Sequence, residues 1–191
     1  MPRSNSIRII GGEFRGRRLG FPEVPGLRPT PDRLRETLFN WLQGQTEGAS
    51  CLDLFAGSGA LGLEALSRGA QTVRFVDQSR VVIRQMEKNL QLLGLQERAE
   101  VVSADGMRLI SREADQAFDM VFLDPPFARD WLEKACRVLE QNGWLKPRSW
   151  IYLEQDSRGT WPSLPDTWCI HRQGRAGQAA CALVRRDTIG G

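Results

Sequence analysis

The chain has 191 residues, of which 41% are hydrophobic and 26% charged, as in a soluble globular protein of one domain with a short N-terminal addition. No apolar stretch approaches the roughly 20 residues of a membrane span. Residues 1–20 lack the apolar centre of a signal peptide. We therefore expect a cytoplasmic protein that contacts no membrane. The four scattered cysteines and one histidine form no metal-binding spacing, so no metal site is expected, and the cysteines should be buried.

Positive charge is concentrated at the N-terminus. The whole chain has a net charge of +3, but residues 1–40 contain eight arginines and four acidic residues, so the remainder is close to neutral. Arginine binds phosphate through paired hydrogen bonds, and one-sided positive charge is typical of a nucleic-acid contact surface. The alternative interpretation is a solubilising tail.

The N-terminal 48 residues are predicted to form a hairpin and a helix that pack on a larger domain. Residues 7–20 have the pattern of a short hairpin that turns at Gly11 and Gly12. A connector rich in proline and glycine follows. Thr30 then resembles a helix N-cap with Pro31 in the first helical position, and the helix carries its apolar residues on one face.

Strands and helices alternate from Cys51 onward, which predicts a second domain over residues 49–191 with an α/β fold. Five segments have the composition of strands: CLDLF, TVRFVD, AEVVSAD, FDMVFLD and WIYLE. Helices separate several of them, and the tail reads as two strands joined at Gly174–Gly177. The pattern predicts a Rossmann-like, seven-stranded, mostly parallel sheet with one antiparallel strand at an edge.

A glycine loop follows the first of these strands. Gly57, Gly59 and Gly62 give the G-x-G-x-x-G spacing, which permits a tight turn and close approach of a ligand. Asp77 ends the next strand twenty residues after Gly57, where a carboxylate can bind a ribose diol. Together these features predict a cofactor that contains adenosine.

Two further acidic residues favour S-adenosylmethionine over a nicotinamide dinucleotide. Asp53 lies four residues before Gly57, where a carboxylate can bind an ammonium group that a dinucleotide lacks. Asp105 and Gly106 follow the third strand, within reach of an adenine amine. Ligands of such folds bind along the carboxyl edge of the sheet, where all these residues should lie.

The fourth strand ends in the tetrad Asp124-Pro125-Pro126-Phe127. Two prolines fix the backbone, so that the Asp124 carboxylate and the Pro125 carbonyl can both act as hydrogen-bond acceptors. Phe127 offers a flat surface on which a base can stack. Two acceptors on the hydrogens of a base amine would direct its lone pair at a methyl donor, and the cofactor supplies the reactive group.

These motifs carry a family resemblance. The tetrad DPPF with DLFAGSG resembles the class I amino methyltransferases of nucleic acids. The chain is similar to the RsmD family over residues 7–155. Three segments carry this similarity: RIIGGEFRGRRL, GLRPTPDRLRETLFNWL and DLFAGSGALGLEALSRGA. The resemblance implies methylation of the 2-amino group of a guanine in bacterial 16S ribosomal RNA, with S-adenosylmethionine as cofactor and no metal.

The resemblance also implies roles for individual residues. Cofactor contacts would come from Asp53, Phe55, Ala56, Gly57, Ser58, Gly59, Asp77, Gln78, Asp105 and Gly106. The guanine would be held by Asp124, Pro125, Pro126 and Phe127. RNA contacts would come from Arg8, Arg15, Arg17, Arg18, Arg28 and Arg35. The RNA partner would be free 16S RNA or an assembled or assembling 30S subunit.

Four other functions stay open at this stage. A DNA adenine amino methyltransferase can carry the same tetrad, although the chain has little room for a domain that reads the major groove. An RNA-binding module would have no use for the tetrad. A protein glutamine methyltransferase usually has asparagine in place of Asp124, and a nicotinamide oxidoreductase would bind a different cofactor. The target nucleotide, the oligomeric state and the role of residues 156–191 are open as well.

Overall fold

The computed structural model describes residues 5–125 and 129–187. Within these ranges the elements, in chain order, are β1 (Ser6–Arg8), β2 (Arg18–Gly20), α1 (Asp32–Trp41), β3 (Ser50–Asp53), α2 (Ala60–Ser67), β4 (Thr72–Asp77), α3 (Arg80–Leu93), a 3₁₀ turn (Gln96–Arg98), β5 (Ala99–Ser103), α4 (Gly106–Ile110), β6 (Phe118–Leu123), α5 (Arg129–Gln141), β7 (Leu145–Asp156), β8 (Trp168–Ala176) and β9 (Ala179–Arg186). The alternation predicted after Cys51 is confirmed.

The main sheet has seven strands in the order β5-β4-β3-β6-β7-β9-β8. The first five are parallel, while β9 runs antiparallel to both β7 and β8. The α/β, Rossmann-like fold with a single antiparallel strand is therefore confirmed. The expected place of that strand at the edge is wrong, because β9 inserts beside β7 and leaves β8 at the edge.

Helices cover both faces of the sheet, as expected for parallel strands joined by crossovers. One face packs apolar residues of α1, α2 and α3 against the sheet, and the β1–β2 hairpin adds Ile7, Ile9 and Leu19 to the same core. The other face packs α4 and α5. None of the helices in the described residues is both long and apolar enough to cross a membrane.

A buried carboxylate and Ser67 of α2 hold the N-terminal hairpin on that helix. Both oxygens of Glu64 accept backbone N–H groups of the hairpin, from Ile10 at 2.9 Å and Gly11 at 2.8 Å. The same carboxylate binds the guanidinium groups of Arg35 and Arg68, at 3.3 and 2.7 Å. Because Glu64 is fully buried, these donors replace the water it loses.

Two local predictions need correction. Pro31, with extended backbone angles, occupies the N-cap position of α1 and Asp32 begins the helix, so Thr30 is not the cap. The side chain of Thr30 turns inward instead. Three cysteines are buried as expected, but Cys169 is exposed because it lies on the edge strand β8.

Candidate active site

A cleft of about 720 Å³ opens at the carboxyl edge of the parallel strands. Its floor comes from the loops that follow β3, β4, β5, β6 and β7. The connector between β2 and α1 lines one side through residues 24–31. The turn between β8 and β9 lines the rim through Ala176, Gln178 and Ala179, so part of the C-terminal tail contributes to the cleft.

The three glycines of the loop after β3 have different physical roles. Gly57 lines the cleft, has a left-handed φ of 51°, and a Cβ there would meet no atom closer than 3.8 Å. Gly59, at the start of α2, does not line the cleft and packs against Met86 of α3 instead. Gly62 packs against the ring of Phe75. Of the three, Gly57 is therefore the one that leaves open space at the cleft, and the predicted cofactor contact of Gly59 stays a prediction.

Asp53 is buried at the end of β3 and faces the cleft. Its Oδ2 accepts the backbone N–H of Gly62 at 3.0 Å. Burial raises the pKa of Asp53 to about 7, the Gly62 N–H opposes the rise, and the charge of Asp77 adds to it. Asp53 forms no ion pair with any side chain that the structure describes, so a cationic ligand group would complete its partners.

Asp77 and Asp105 fix the two loops beside the glycine loop. Asp77 accepts the N–H of Gly57 at 3.0 Å through one oxygen and that of Ser79 at 2.8 Å through the other. Asp105 caps α4 by accepting the N–H of Arg108 at 2.9 Å. Both line the cleft, together with the remaining predicted residues of this half: Phe55, Ala56, Ser58, Gln78 and Gly106. Gly106 also permits close packing, since a Cβ there would lie 2.7 Å from the Leu54 carbonyl oxygen.

Asp124 and Pro125 line the cleft after the end of β6, the strand next to β3, which leads into the glycine loop. Asp124 is half-buried, and withdrawal of its carboxyl group from water raises its pKa well above the usual value, with further contributions from Glu154 and Asp53. Pro126 and Phe127 fall outside the described residues, so the predicted base contact through them stays a prediction.

Sequence reasoning missed two acidic residues of the cleft, Glu154 and Asp156, of which Glu154 is the buried one. Glu154 follows Leu153 in β7, next to β6, and its side chain is buried at the cleft wall. Its Oε2 accepts the hydroxyl of Tyr152 at 2.8 Å, and Thr30 donates a second hydrogen bond. Burial raises the pKa of Glu154, and these two donors oppose the rise. The rule that selected Asp53, Asp77, Asp105 and Asp124 at strand ends applied to WIYLE equally well.

The predicted RNA-contact arginines fall into two groups. Five are exposed: Arg8, Arg15, Arg17, Arg18 and Arg28. Arg35 is buried, and the prediction that it contacts RNA is wrong, because its guanidinium binds Asp32, Glu64 and the carbonyl oxygens of Arg8 and Thr30. The position of Arg35 inside an arginine-rich segment gave no sign of this, since its partner Glu64 lies 29 residues away.

The sheet order, the glycine loop and the acidic strand ends define the fold as that of Rossmann-like class I methyltransferases. The family described as "Conserved hypothetical protein 95" matches residues 7–185. The chain is 47% identical over 187 residues to the ribosomal RNA small subunit methyltransferase D of Escherichia coli (strain K12). The match covers 98% of this chain and 93% of that protein. The chain therefore belongs to the RsmD family.

Solved structures agree with this assignment. The protein yhhF from Escherichia coli superposes with a TM-score of 0.88 at 43% identity, and the match covers 96% of this chain and 99% of that one. The 16S rRNA N2 G1207 methyltransferase of Thermus thermophilus, solved with AdoMet and guanosine, shares the fold with a TM-score of 0.66 at 22% identity. That match covers 97% of this chain and 50% of the other.

Proposed function

We propose that this protein transfers a methyl group from S-adenosylmethionine to the exocyclic 2-amino group of a guanine in bacterial 16S ribosomal RNA. The observation that carries the proposal is the single cleft into which both the glycine loop and Asp124 face. Strands β3 and β6 are hydrogen-bonded neighbours, so their carboxyl ends bring a cofactor site and an acceptor for an amine together. The Escherichia coli relative acts, by its name, on small-subunit ribosomal RNA.

The residues of the cleft fit S-adenosylmethionine. Asp53 is a buried carboxylate without a cationic partner among the described side chains, which suits the ammonium group of the methionine portion. Gly57 leaves open space beside it, and Asp77 and Asp105 present carboxylates where a ribose and an adenine would lie. When bound, this cofactor supplies an electrophilic methyl group. The Thermus thermophilus neighbour that binds AdoMet supports the same choice.

Asp124 is proposed to orient the target amine. The amine of guanine is a poor nucleophile because its lone pair is delocalised into the ring. A hydrogen bond from one N–H to the Asp124 carboxylate, with the Pro125 carbonyl on the other, would direct the lone pair towards the methyl group. The positive charge that develops on the amine would strengthen the bond to Asp124 in the transition state.

The exposed arginines of the N-terminal segment are proposed to bind RNA phosphates. Arg15, Arg17 and Arg18 form no ion pair with any other described residue, so their charges are available to a ligand. Arg28 lies on the connector at the rim of the cleft, where it can contact RNA near the target base. We therefore propose residues 1–48 as the RNA-contacting part and residues 49–191 as the catalytic domain.

The proposal is tested by mass spectrometry of small-subunit RNA nucleosides from a strain that lacks the gene. One N2-methylguanosine should disappear. The wild-type gene should restore it, and a gene encoding Asp124→Ala should not. An unchanged N2-methylguanosine content would refute the guanine assignment, and loss of a methylated adenosine instead would indicate a different base.

A further inference from the structure

Two acidic residues stand side by side at the substrate end of the cleft. Leu123 of β6 pairs with Leu153 of β7 in a parallel register, so Asp124 and Glu154 are the next residues on adjacent strands. Neighbouring strands lie about 4.8 Å apart, and residues in equivalent positions point to the same side. Both residues line the cleft. A ligand that reaches Asp124 therefore passes next to Glu154.

These two acids lack a cationic partner among the side chains that the structure describes. Burial raises the pKa of each, because the carboxyl group loses the water that would stabilise its charge. Glu154 is oriented by Tyr152 and Thr30, which use part of its acceptor capacity. A carboxylate can accept about four hydrogen bonds, so capacity remains on the cleft side. The pair is suited to a ligand that presents two adjacent donors.

We propose that Glu154 is a specificity-determining residue that selects guanine by accepting a hydrogen bond from its N1–H, while Asp124 accepts one from the 2-amino group. This inference rests on the proposed function. It adds a residue that distinguishes guanine from the other bases before the methyl group is transferred.

The chemistry of the base edges supports this assignment. The Watson–Crick edge of guanine presents N1–H and the 2-amino group as neighbouring donors, and unpaired RNA bases are commonly recognised on this edge. Adenine and cytosine place a ring-nitrogen acceptor beside their amine, which would face the lone pairs of Glu154. Uracil has one donor between two carbonyl oxygens. Guanine alone among the four offers a donor to each carboxylate.

The alternative role for Glu154 is structural, because its hydrogen bond with Thr30 ties the connector to β7. A purely structural role predicts that a substitution slows methylation of every base analogue by the same factor. A specificity role predicts a change in the preference between analogues. The ratio of two rates therefore separates the two roles.

The experiment uses small-subunit RNA in which the mapped target guanosine is replaced, by ligation of a synthetic segment, with 2-aminopurine. This base keeps the 2-amino group but has an acceptor at N1. Single-turnover methyl transfer is measured with saturating S-adenosylmethionine for both RNAs. The wild-type protein should favour guanine by at least about 100-fold, since a site built to accept an N–H strongly rejects a base without it.

The Glu154→Gln variant should lower this ratio by at least about tenfold, because its amide can either accept from N1–H or donate to an N1 acceptor. Glu87→Gln, an acid-to-amide change at an exposed position of α3 outside the cleft, is the matched control and should leave the ratio unchanged. If Glu154→Gln does not fold, Glu154→Asp provides the second test, since a shorter carboxylate should also lower the ratio.

An unchanged ratio in a folded Glu154 variant that binds the cofactor normally would overturn the inference, as would a wild-type protein that methylates both bases equally. A wild-type protein that methylates no guanosine at all would refute the proposed function itself. The two failures are therefore distinguishable.

Discussion

The two halves of the cleft are stabilised in different ways. In the half formed by β3, β4 and β5, each acidic residue binds a backbone N–H, as Asp77 does with Gly57 and Ser79 and Asp105 with Arg108. In the half formed by β6 and β7, Glu154 binds side chains, including Thr30 from the other end of the chain. The first half is therefore held by carboxylate bonds to backbone N–H groups, while the second is held by contacts between side chains.

The two halves should therefore respond differently to substitution. Backbone hydrogen bonds hold the loops of the first half in place whether or not a ligand is present. The second half brings Asp124 and Glu154 together with the connector, which carries the exposed Arg28. We therefore expect substitutions in the first half to affect cofactor binding and those in the second to affect turnover and base choice.

The largest effect is expected from Gly57→Val, which should leave no measurable S-adenosylmethionine binding by calorimetric titration. The new side chain would occupy the open space beside Gly57 and would also strain its left-handed backbone. Gly44→Val is the matched control, because Gly44 has a φ of 75°, no atom within 4 Å of a Cβ, and a position outside the cleft. Wild-type affinity in Gly57→Val would remove this glycine from the cofactor site.

The next effect is expected in turnover. Asp124→Ala should slow single-turnover methyl transfer by a factor on the order of 100 or more, because its carboxylate is proposed to bind the amine most strongly in the transition state. Cofactor affinity should survive, since Asp124 belongs to the other half of the cleft. Asp124→Asn, which keeps an acceptor without the charge, should be intermediate. Near wild-type rates for Asp124→Ala would show that the tetrad is only a turn.

The sequence predicts the β3–β5 half of the cleft better than the β6–β7 half. The alternation of strands and helices, the glycine loop and the positions of Asp53 and Asp77 at strand ends could be predicted from local patterns of strand, glycine and acid. The same rule could have selected Glu154, but its position beside Asp124 and its contact with Thr30 follow from the register of β6 with β7 and from tertiary packing.

The arginines show the same limit. Arg33 and Arg35 lie two residues apart in the same arginine-rich segment, yet Arg35 is buried against Glu64 and Arg33 is exposed. Which of them reaches solvent depends on the packing of α1 against α2. The inserted position of β9 likewise depends on pairing between distant strands, which alternation alone does not specify.

A smaller effect is expected from the N-terminal surface. Replacing Arg15, Arg17 and Arg18 by alanine should lower RNA affinity by roughly ten- to a hundredfold at 0.1 M salt. The slope of log affinity against log salt should fall by about 2, because fewer phosphate contacts form and fewer counterions are released. Arg112→Ala with Arg137→Ala, two exposed arginines outside this segment, is the control. An unchanged slope in the triple variant would exclude the hairpin as the RNA surface.

The smallest effect concerns pH and tests whether Asp53 binds the ammonium group of the cofactor. The pKa of Asp53 is raised to about 7, chiefly by burial, with Asp77 contributing and the Gly62 N–H opposing. Only the ionised form attracts a cation, so cofactor affinity should fall as the pH is lowered through 7. From pH 8 to pH 6 the ionised fraction, and with it the affinity, should fall about tenfold.

The sign for stability is opposite. Because the folded-state pKa lies above the unfolded value, the free protein binds a proton more tightly when folded, and it should lose stability as the pH rises from about 4 to 7. Asp53→Asn should flatten both profiles and weaken cofactor binding at pH 8, because the amide of Asn keeps an acceptor but has no charge. Calorimetric titration and thermal unfolding at several pH values measure the two profiles. A wild-type cofactor affinity that stays constant between pH 6 and 8 would separate Asp53 from the ammonium group, and the cofactor half of the cleft would then depend on Gly57 and Asp77.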